Sequence, residues 1–209
     1  MITKSYKWHP QTSSIRKSTM AAKLARIRGA TVLDCFCGSG AHAVASIQAG
    51  AARFTGTDLE DYSFCLRKDI ARYNAEYNYL GEKTVMFEWG IDARTSIKTH
   101  DFDVLFIDPP NPYQIVGGAM KSVIRDTGLS GSKLTKFWRE RLSPENWINK
   151  RDKTLENVEK IIIGAIDENA RVIANLFAIK SNGFSYFEKF KDKFSCNPLF
   201  ESYYEVKIL

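Results

Sequence analysis

Short apolar runs that end on an acid recur along this chain, each followed by a stretch of helical period. Ala30 to Asp34 is the first such run, and Gly40 to Gly50 follows as a helix of small residues closed by its glycine. Arg53 to Asp58 reads as the second strand. From Leu59 a helical pattern continues to about Tyr79, with Phe64, Ile70, Tyr73 and Tyr77 on an inward face, and Gly81 ends it. Thr84 to Trp89 alternates as strand three, with Gly90-Ile91-Asp92-Ala93 as the turn after it. Asp103 to Asp108 is almost continuously apolar, the mark of a central parallel strand covered on both faces, and it runs into Pro109-Pro110-Asn111-Pro112-Tyr113. Strand five, Arg171 to Ile179, is equally apolar.

The remaining segments are less regular. Residues 1–13 read as an arm, and Ser14 to Arg28 as a basic helix that Gly29 closes. Residues 114–170 separate the proline cluster from strand five, far more than one short crossover requires. Thr154 to Ile166 reads as the crossover helix, which leaves 114–153 as a basic insertion. Ser185 to Phe194 reads as a further amphipathic helix and Phe200 to Leu209 as a single last strand. Strands alternating with helices predict an α/β fold, a Rossmann-like, doubly wound and mostly parallel sheet in one domain spanning 1–209, with a helical insertion after strand four. Ligands of such sheets bind outside the carboxyl ends of the strands, where Asp34, Asp58, Asp92 and Asp108 all fall.

Composition narrows this picture only slightly. The chain has 209 residues, 44% of them hydrophobic, which suits one globular domain. Thirty basic residues against twenty-four acidic ones leave a net charge of +6, a moderate excess that suits a polyanionic partner. The first ten residues are polar and aromatic rather than leader-like, and no apolar run approaches the ~20 residues of a membrane span. The four cysteines, at 35, 37, 65 and 196, form no C-x-x-C pair, so a reduced cytoplasmic protein without a metal site is expected.

The turn from Asp34 to Gly40 suits a nucleoside or a phosphate, because glycines at 38 and 40 let a ligand approach the backbone beside a helix start. No Lys-Ser/Thr pair follows the glycines, which excludes a Walker loop, and position 43 is alanine, which leaves a dinucleotide reading only weakly open. Asp58 is placed to accept hydrogen bonds from ribose hydroxyls, or else simply caps the segment that begins at Leu59. Asp108-Pro109-Pro110 is more selective. Two prolines remove two donors, leaving carbonyl oxygens that accept, so an amino group fits between such a carbonyl and Asp108. With both its protons engaged, that nitrogen turns its lone pair toward an electrophile, an arrangement a dehydrogenase does not need.

In these residues the chain resembles the class I S-adenosylmethionine-dependent methyltransferases. Val32-Leu33-Asp34-Cys35-Phe36-Cys37-Gly38-Ser39-Gly40 is similar to their first motif, Thr55-Gly56-Thr57-Asp58 to the second and Gly90-Ile91-Asp92-Ala93 to the third. Asp108-Pro109-Pro110 is similar to the fourth motif of the branch that methylates exocyclic amino groups of bases, above all the small rRNA guanine-N2 enzymes and the adenine-specific DNA enzymes. The resemblance implies S-adenosylmethionine as cofactor. It places Gly38 and Gly40, with Phe36 and Cys37, around the methionine part, and Asp34 on its amino group. Asp58 would take the ribose and Asp92 the adenine amino group. Asp108 and the Pro109 carbonyl would grip the target nitrogen. The family has an aromatic residue directly after the prolines; here that position is Asn111, and Tyr113 is expected to stack on the base instead. The family also closes its sheet with a hairpin, where this chain reads as a single strand.

Within the insertion, Lys121, Arg125, Lys136, Trp138 and Arg139 combine cations with an aromatic ring and are expected to contact nucleic acid, as a substrate-binding lid or, alternatively, as a solvated helical cover. The basic helix of residues 14–28 would extend that surface. The expected function is therefore methyl transfer to an exocyclic amino group of a base, with RNA favoured over DNA because no separate target-recognition domain is visible. The alternatives are a DNA adenine or cytosine amino-methyltransferase, a protein amide methyltransferase, for which Asn would be more usual than Asp108, and a catalytically silent cofactor-binding module that holds nucleic acid.

Overall fold

A computed structural model of the chain describes residues 15–63, 70, 85–108, 144–176, 188 and 190–209, with the backbone alone over 144–155. Its elements in chain order are α1 (Ile15–Leu24), β1 (Thr31–Asp34), α2 (Ala41–Gln48), β2 (Arg53–Asp58), β3 (Val85–Trp89), α3 (Ala93–Thr99), β4 (Val104–Ile107), α4 (Pro144–Asp167), β5 (Arg171–Asn175), β6 (Phe194–Phe200) and β7 (Tyr203–Ile208). The seven strands form one sheet in the order β3-β2-β1-β4-β5-β7-β6. The first five run parallel, and β7 is antiparallel to both of its neighbours. This is the doubly wound α/β architecture that the alternation of elements predicts. The order reverses between β1 and β4, which are paired with Asp34 opposite Phe106, and it is outside the carboxyl ends at such a switch that sheets of this kind bind ligands.

The central strands are apolar throughout because helices cover both of their faces. Leu33, Leu105, Ile107, Val172 and Ala174 pack on one face with Ile97 of α3 and Val158, Ile161, Ile162 and Ala165 of α4. Their chain neighbours Val32, Val104, Phe106 and Ile173 pack on the other face with Ala21 and Ala22 of α1 and Ala43 and Val44 of α2. Alternate side chains thus feed alternate cores. The alanines let α1 and α2 lie close to each other, and these two helices are in contact.

Three sequence expectations change. The long crossover helix begins at Pro144, inside the segment 114–153 assigned wholly to an insertion. Proline is favoured in a first helical turn, where its missing N–H has no intrahelical partner, so Ser143-Pro144 was a start signal. The single terminal strand is a hairpin, β6 and β7, turning at Glu201, whose φ is 50°. Pro198 disguised β6 as a broken segment. On an edge strand, beside the register shift between Pro198 and Phe200, proline is tolerated. The helix expected to reach Phe194 gives way at Asp192 and Lys193, and Phe194 already belongs to β6. Of the helix expected over 59–79, only Ile70 beyond residue 63 is described, helical and buried against the second core. The short α3 had not been singled out in the sequence. Among the described residues no helix is long and apolar enough to cross a membrane.

Gly56 of β2 is tightly packed, since a Cβ there would lie 2.8 Å from Cys37 Cβ and 2.9 Å from the Phe87 ring. Gly56→Ala is expected to cost about 1–3 kcal/mol by overpacking. Phe106→Ala, which empties a fully buried site, is expected to cost about 3–5 kcal/mol. Urea unfolding followed by circular dichroism measures both, with the denaturant slope unchanged.

Candidate active site

The acids at the carboxyl edge are placed by strand register. Asp34 ends β1, Asp58 ends β2, Asp108 directly follows β4, and Asp92 caps α3 after the turn that leaves β3. Between β1 and α2 the chain makes a turn pinned by backbone bonds. Cys37 N–H donates to Thr57 O at 3.2 Å and Gly40 N–H to Cys37 O at 2.9 Å. Gly38 N–H donates to Asp58 Oδ2 at 3.1 Å, which ties the turn to the end of β2.

Both glycines sit at positive φ, 48° for Gly38 and 85° for Gly40, but they are needed for different reasons. A Cβ on Gly40 would strike Ile70 at 2.5 Å, so Gly40 serves packing. A Cβ on Gly38 would meet no atom of the described residues within 4 Å, and neither would one on Gly90, so among the described residues nothing covers the backbone at these two turns. Gly40 is also the N-cap of α2 and offers no side-chain cap, leaving the helix N-terminus to a ligand. An adenosyl cofactor bearing a carboxylate fits this cradle.

Asp58 is partly buried, and that burial pushes its carboxyl up to about 6, even though it accepts from Glu60 N–H and Gly38 N–H. Asp92 is more exposed. It accepts from Arg94 N–H at 2.9 Å and pairs with the Arg94 guanidinium at 2.8 and 3.1 Å, and these bonds hold its carboxyl below the usual range. Phe36 is partly buried against the first core, whereas Cys37 turns its side chain inward at 5% exposure. Burial pushes both the Cys35 and Cys37 thiols up, so neither supplies a thiolate.

Asp34 is fully buried. It accepts Phe36 N–H at 3.0 Å on Oδ1 and is paired with His42 Nδ1 at 2.7 Å on Oδ2. His42 Nε2 lies 2.9 Å from the Tyr203 hydroxyl, which lies 2.7 Å from Ser18 Oγ. Burial alone would drive the proton off His42. The negative potential of Tyr203 and Asp34, the hydrogen bond to Asp34 and the charge of Asp108 outweigh it, and the imidazole binds its proton well above the ordinary range. A carboxylate only accepts, so Nδ1 donates to Asp34; Nε2 and the Tyr203 hydroxyl share the next hydrogen bond, and the Tyr203 and Ser18 hydroxyls the last.

Sequence reasoning passed over His42, although a lone imidazole among Ala41, Ala43 and Ala45 in a first helical turn was a visible signal. It also passed over an aromatic row beside Asp58. Trp89, the register partner of Asp58, stacks on Phe87 at 5.7 Å between centroids, and Tyr62 lies 6.3 Å from Trp89. Leu59, next to Asp58, is 67% exposed. Pro109, Pro110, Asn111, Tyr113, Lys121, Arg125, Lys136, Trp138 and Arg139 lie outside the described residues. Among the described residues no His, Cys, Asp and Glu side chains are grouped as a metal ion requires.

The basic helix expected over 14–28 ends at Leu24, and the cations at its end and just beyond it do not point toward this edge. Lys23, Arg26 and Arg28 line a cleft of about 600 Å³ with Gln48 and Gly50, at the C-terminal end of α2. Because α2 runs back from the glycine turn, that cleft lies at the opposite edge of the sheet.

The chain is similar to known proteins in sequence and in fold. The chain is 25% identical over 155 residues to the ribosomal RNA small subunit methyltransferase D of Buchnera aphidicola, covering 72% of this chain and 78% of that one. It is 34% identical over 86 residues to the ribosomal RNA large subunit methyltransferase I of Aeromonas hydrophila, covering 39% of this chain but only 21% of that protein. In three dimensions it is similar to SMU.776, described as a methyltransferase complexed with SAH, with a TM-score of 0.50 at 18% identity over 95% of this chain and 50% of the other. The family model described as "Conserved hypothetical protein 95" matches residues 1–160. The chain belongs to that family, and it has the fold of the class I S-adenosylmethionine-dependent methyltransferases, which it resembles.

Proposed function

We propose that this methyltransferase moves the methyl group of S-adenosylmethionine to an exocyclic amino group of an RNA base. The observation that carries the reading is the position of Asp108. It leaves β4 beside the end of β1, so an acceptor acid stands next to the glycine turn at the point where strand order reverses. The sequence follows it with Pro109 and Pro110. RNA as acceptor is supported by the two ribosomal RNA methyltransferases that the chain resembles and by its net charge of +6.

When bound, the cofactor supplies an electrophilic methyl group on a sulfonium centre. The protein's part is placement. Gly38 and the uncapped N-terminus of α2 receive the carboxylate end of the cofactor, with Phe36 and Cys37 completing the turn. Asp58 accepts from the ribose hydroxyls, Leu59 and Trp89 offer apolar surface to the adenine, and Asp92 accepts from its amino group. Asp34 acts on the methionine end through the turn whose Phe36 N–H it holds. Asp108 accepts one N–H of the target amino group and the Pro109 carbonyl the other, which leaves the nitrogen lone pair facing the methyl carbon. Tyr113 stacks on the base in place of the aromatic that Asn111 replaces. Residues 1–209 act as one domain. Lys121, Arg125, Lys136, Trp138 and Arg139 hold the RNA backbone ahead of α4.

Labelled methyl transfer to ribosomal RNA and to DNA, followed by nucleoside mass spectrometry, is expected to find the label on an exocyclic nitrogen of RNA. Cofactor binding with no transfer to either polymer, in wild type and in Asn111→Tyr alike, would refute the proposal. Asp108→Ala is expected to lower transfer by about 100-fold or more while cofactor affinity changes less than about twofold.

Asp58 gives a pH dependence of known sign. Its folded-state carboxyl titrates at about 6, above the ordinary value of 3.8, so its ionisation lowers stability as pH rises between those values. Ribose hydroxyls need the charged form, so cofactor affinity is full above the titration and is lost as pH falls through it. Calorimetry is expected to show affinity about tenfold weaker at pH 5 than at pH 7, and Asp58→Asn is expected to be weak at both.

A further inference from the structure

We infer that His42 is a positioning residue for the cofactor turn, clamped by Tyr203 of the C-terminal hairpin so that it holds the Asp34 carboxylate in the orientation that receives Phe36 N–H. The inference rests on the reading above, that this turn holds S-adenosylmethionine.

Four elements contribute to one buried chain of hydrogen bonds: Asp34 from β1, His42 from α2, Tyr203 from β7 and Ser18 from α1. Their exposures are 0%, 3%, 1% and 0%, so water competes for none of these bonds. The imidazole is also fixed as a ring. It lies 4.8 Å from Phe106 and meets Tyr203 edge-on at 5.9 Å, while Phe106 and Tyr203 meet at 6.4 Å. Rotation of His42 about its side chain would break both nitrogen bonds and strike one of those rings.

The position of Asp34 explains why such a clamp matters. Asp34 sits at the last residue of β1, where the turn begins, and its Oδ1 anchors the second residue of that turn. Its Oδ2 faces His42, and among the described residues the imidazole is its hydrogen-bond partner. An apolar residue at 42 would leave a buried carboxylate oxygen without this donor, and Asp34 would rotate to find another. Phe36 N–H, and with it the path from Cys35 to Gly40, would follow.

Tyr203 lies beyond residue 160, where the family match ends, so a segment outside that match reaches the cofactor turn through one hydroxyl. The charged and titratable groups facing His42 are Asp34 from β1, Tyr203 from β7 and Asp108 after β4. The imidazolium therefore stands between the acid of the donor turn and the acid of the acceptor loop.

Calorimetric titration of S-adenosylmethionine into the full chain, with thermal unfolding and steady-state kinetics in parallel, separates positioning from simple support of the fold. His42→Leu is expected to weaken cofactor binding by about tenfold. Because the defect lies in binding, kcat at saturating cofactor should stay within about threefold of wild type. Tyr203→Phe should weaken binding in the same direction by about threefold, through the loss of one hydrogen bond. His42→Gln, whose amide still donates to Asp34, should recover most of the affinity. Val44→Ala, a core truncation on the same helix, should lower the unfolding temperature and leave affinity unchanged. If His42→Leu does not fold, Tyr203→Phe and His42→Gln decide the question. Variants at 42 and 203 that bind the cofactor within twofold of wild type would overturn the inference while leaving the proposed function intact. A wild-type chain that takes up no S-adenosylmethionine would overturn the reading of the turn itself, and this inference with it.

Discussion

A carboxylate with no access to water has to be answered by the protein around it, and Asp34 is such a carboxylate. It stands at the end of β1, where the sheet reverses its order. Its answer is assembled from the whole fold: a backbone N–H from the turn, an imidazole from the helix after it, and behind that a phenol from the last strand and a hydroxyl from the first helix. The path of the glycine turn is therefore set jointly by elements far apart in sequence. Asp58 adds a second anchor by accepting Gly38 N–H, and the two acids hold the turn at its start and its middle.

This network is affordable only because the sheet is covered on both faces. Alternate residues of β1 and β4 enter different cores, and both cores are filled largely with aliphatic side chains and alanine. Polar groups are concentrated at the edges. At the carboxyl edge they are acids placed around open backbone; at the opposite edge Arg171 donates to Ala25 O at 2.6 Å and to Glu205 Oε1 at 2.9 Å, tying β5 to the end of α1 and to β7. The cations of Lys23, Arg26 and Arg28 gather on that second edge as well. Among the described residues, Asp34, Asp58, Asp92 and Asp108 thus gather at one edge of the sheet and these three cations at the other.

Much of the architecture was legible without coordinates because its causes are local. A strand buried on both faces must be apolar, so β1, β4 and β5 announced themselves, and β2 was read at its observed limits, Arg53–Asp58. Gly50 ends its helical segment at positive φ, which few other residues adopt, whereas α1 stops at Leu24 and turns at Arg26, φ 53°, before reaching the expected closing residue Gly29. The hairpin was illegible because Pro198 is a breaker everywhere except on an edge, and whether a strand is an edge is a property of the sheet, not of the strand. The early start of α4 was missed for a different reason: basic and aromatic residues masked a helix that begins with a proline.

The candidate site divides in the same way. Sequence alone determined the acids at strand ends, the glycine turn and the Asp108-Pro109-Pro110 signature, since each reflects a chemical need expressed within a few residues. Only the tertiary structure decided what those acids do for one another. It showed Asp34 buried and paired, Asp58 holding the turn, Asp92 engaged with Arg94, and His42 reaching Tyr203 across 161 positions of chain. A hydrogen bond depends on distance in space, and nothing in the spacing of residues along the chain records a contact that only the closing of the sheet brings about.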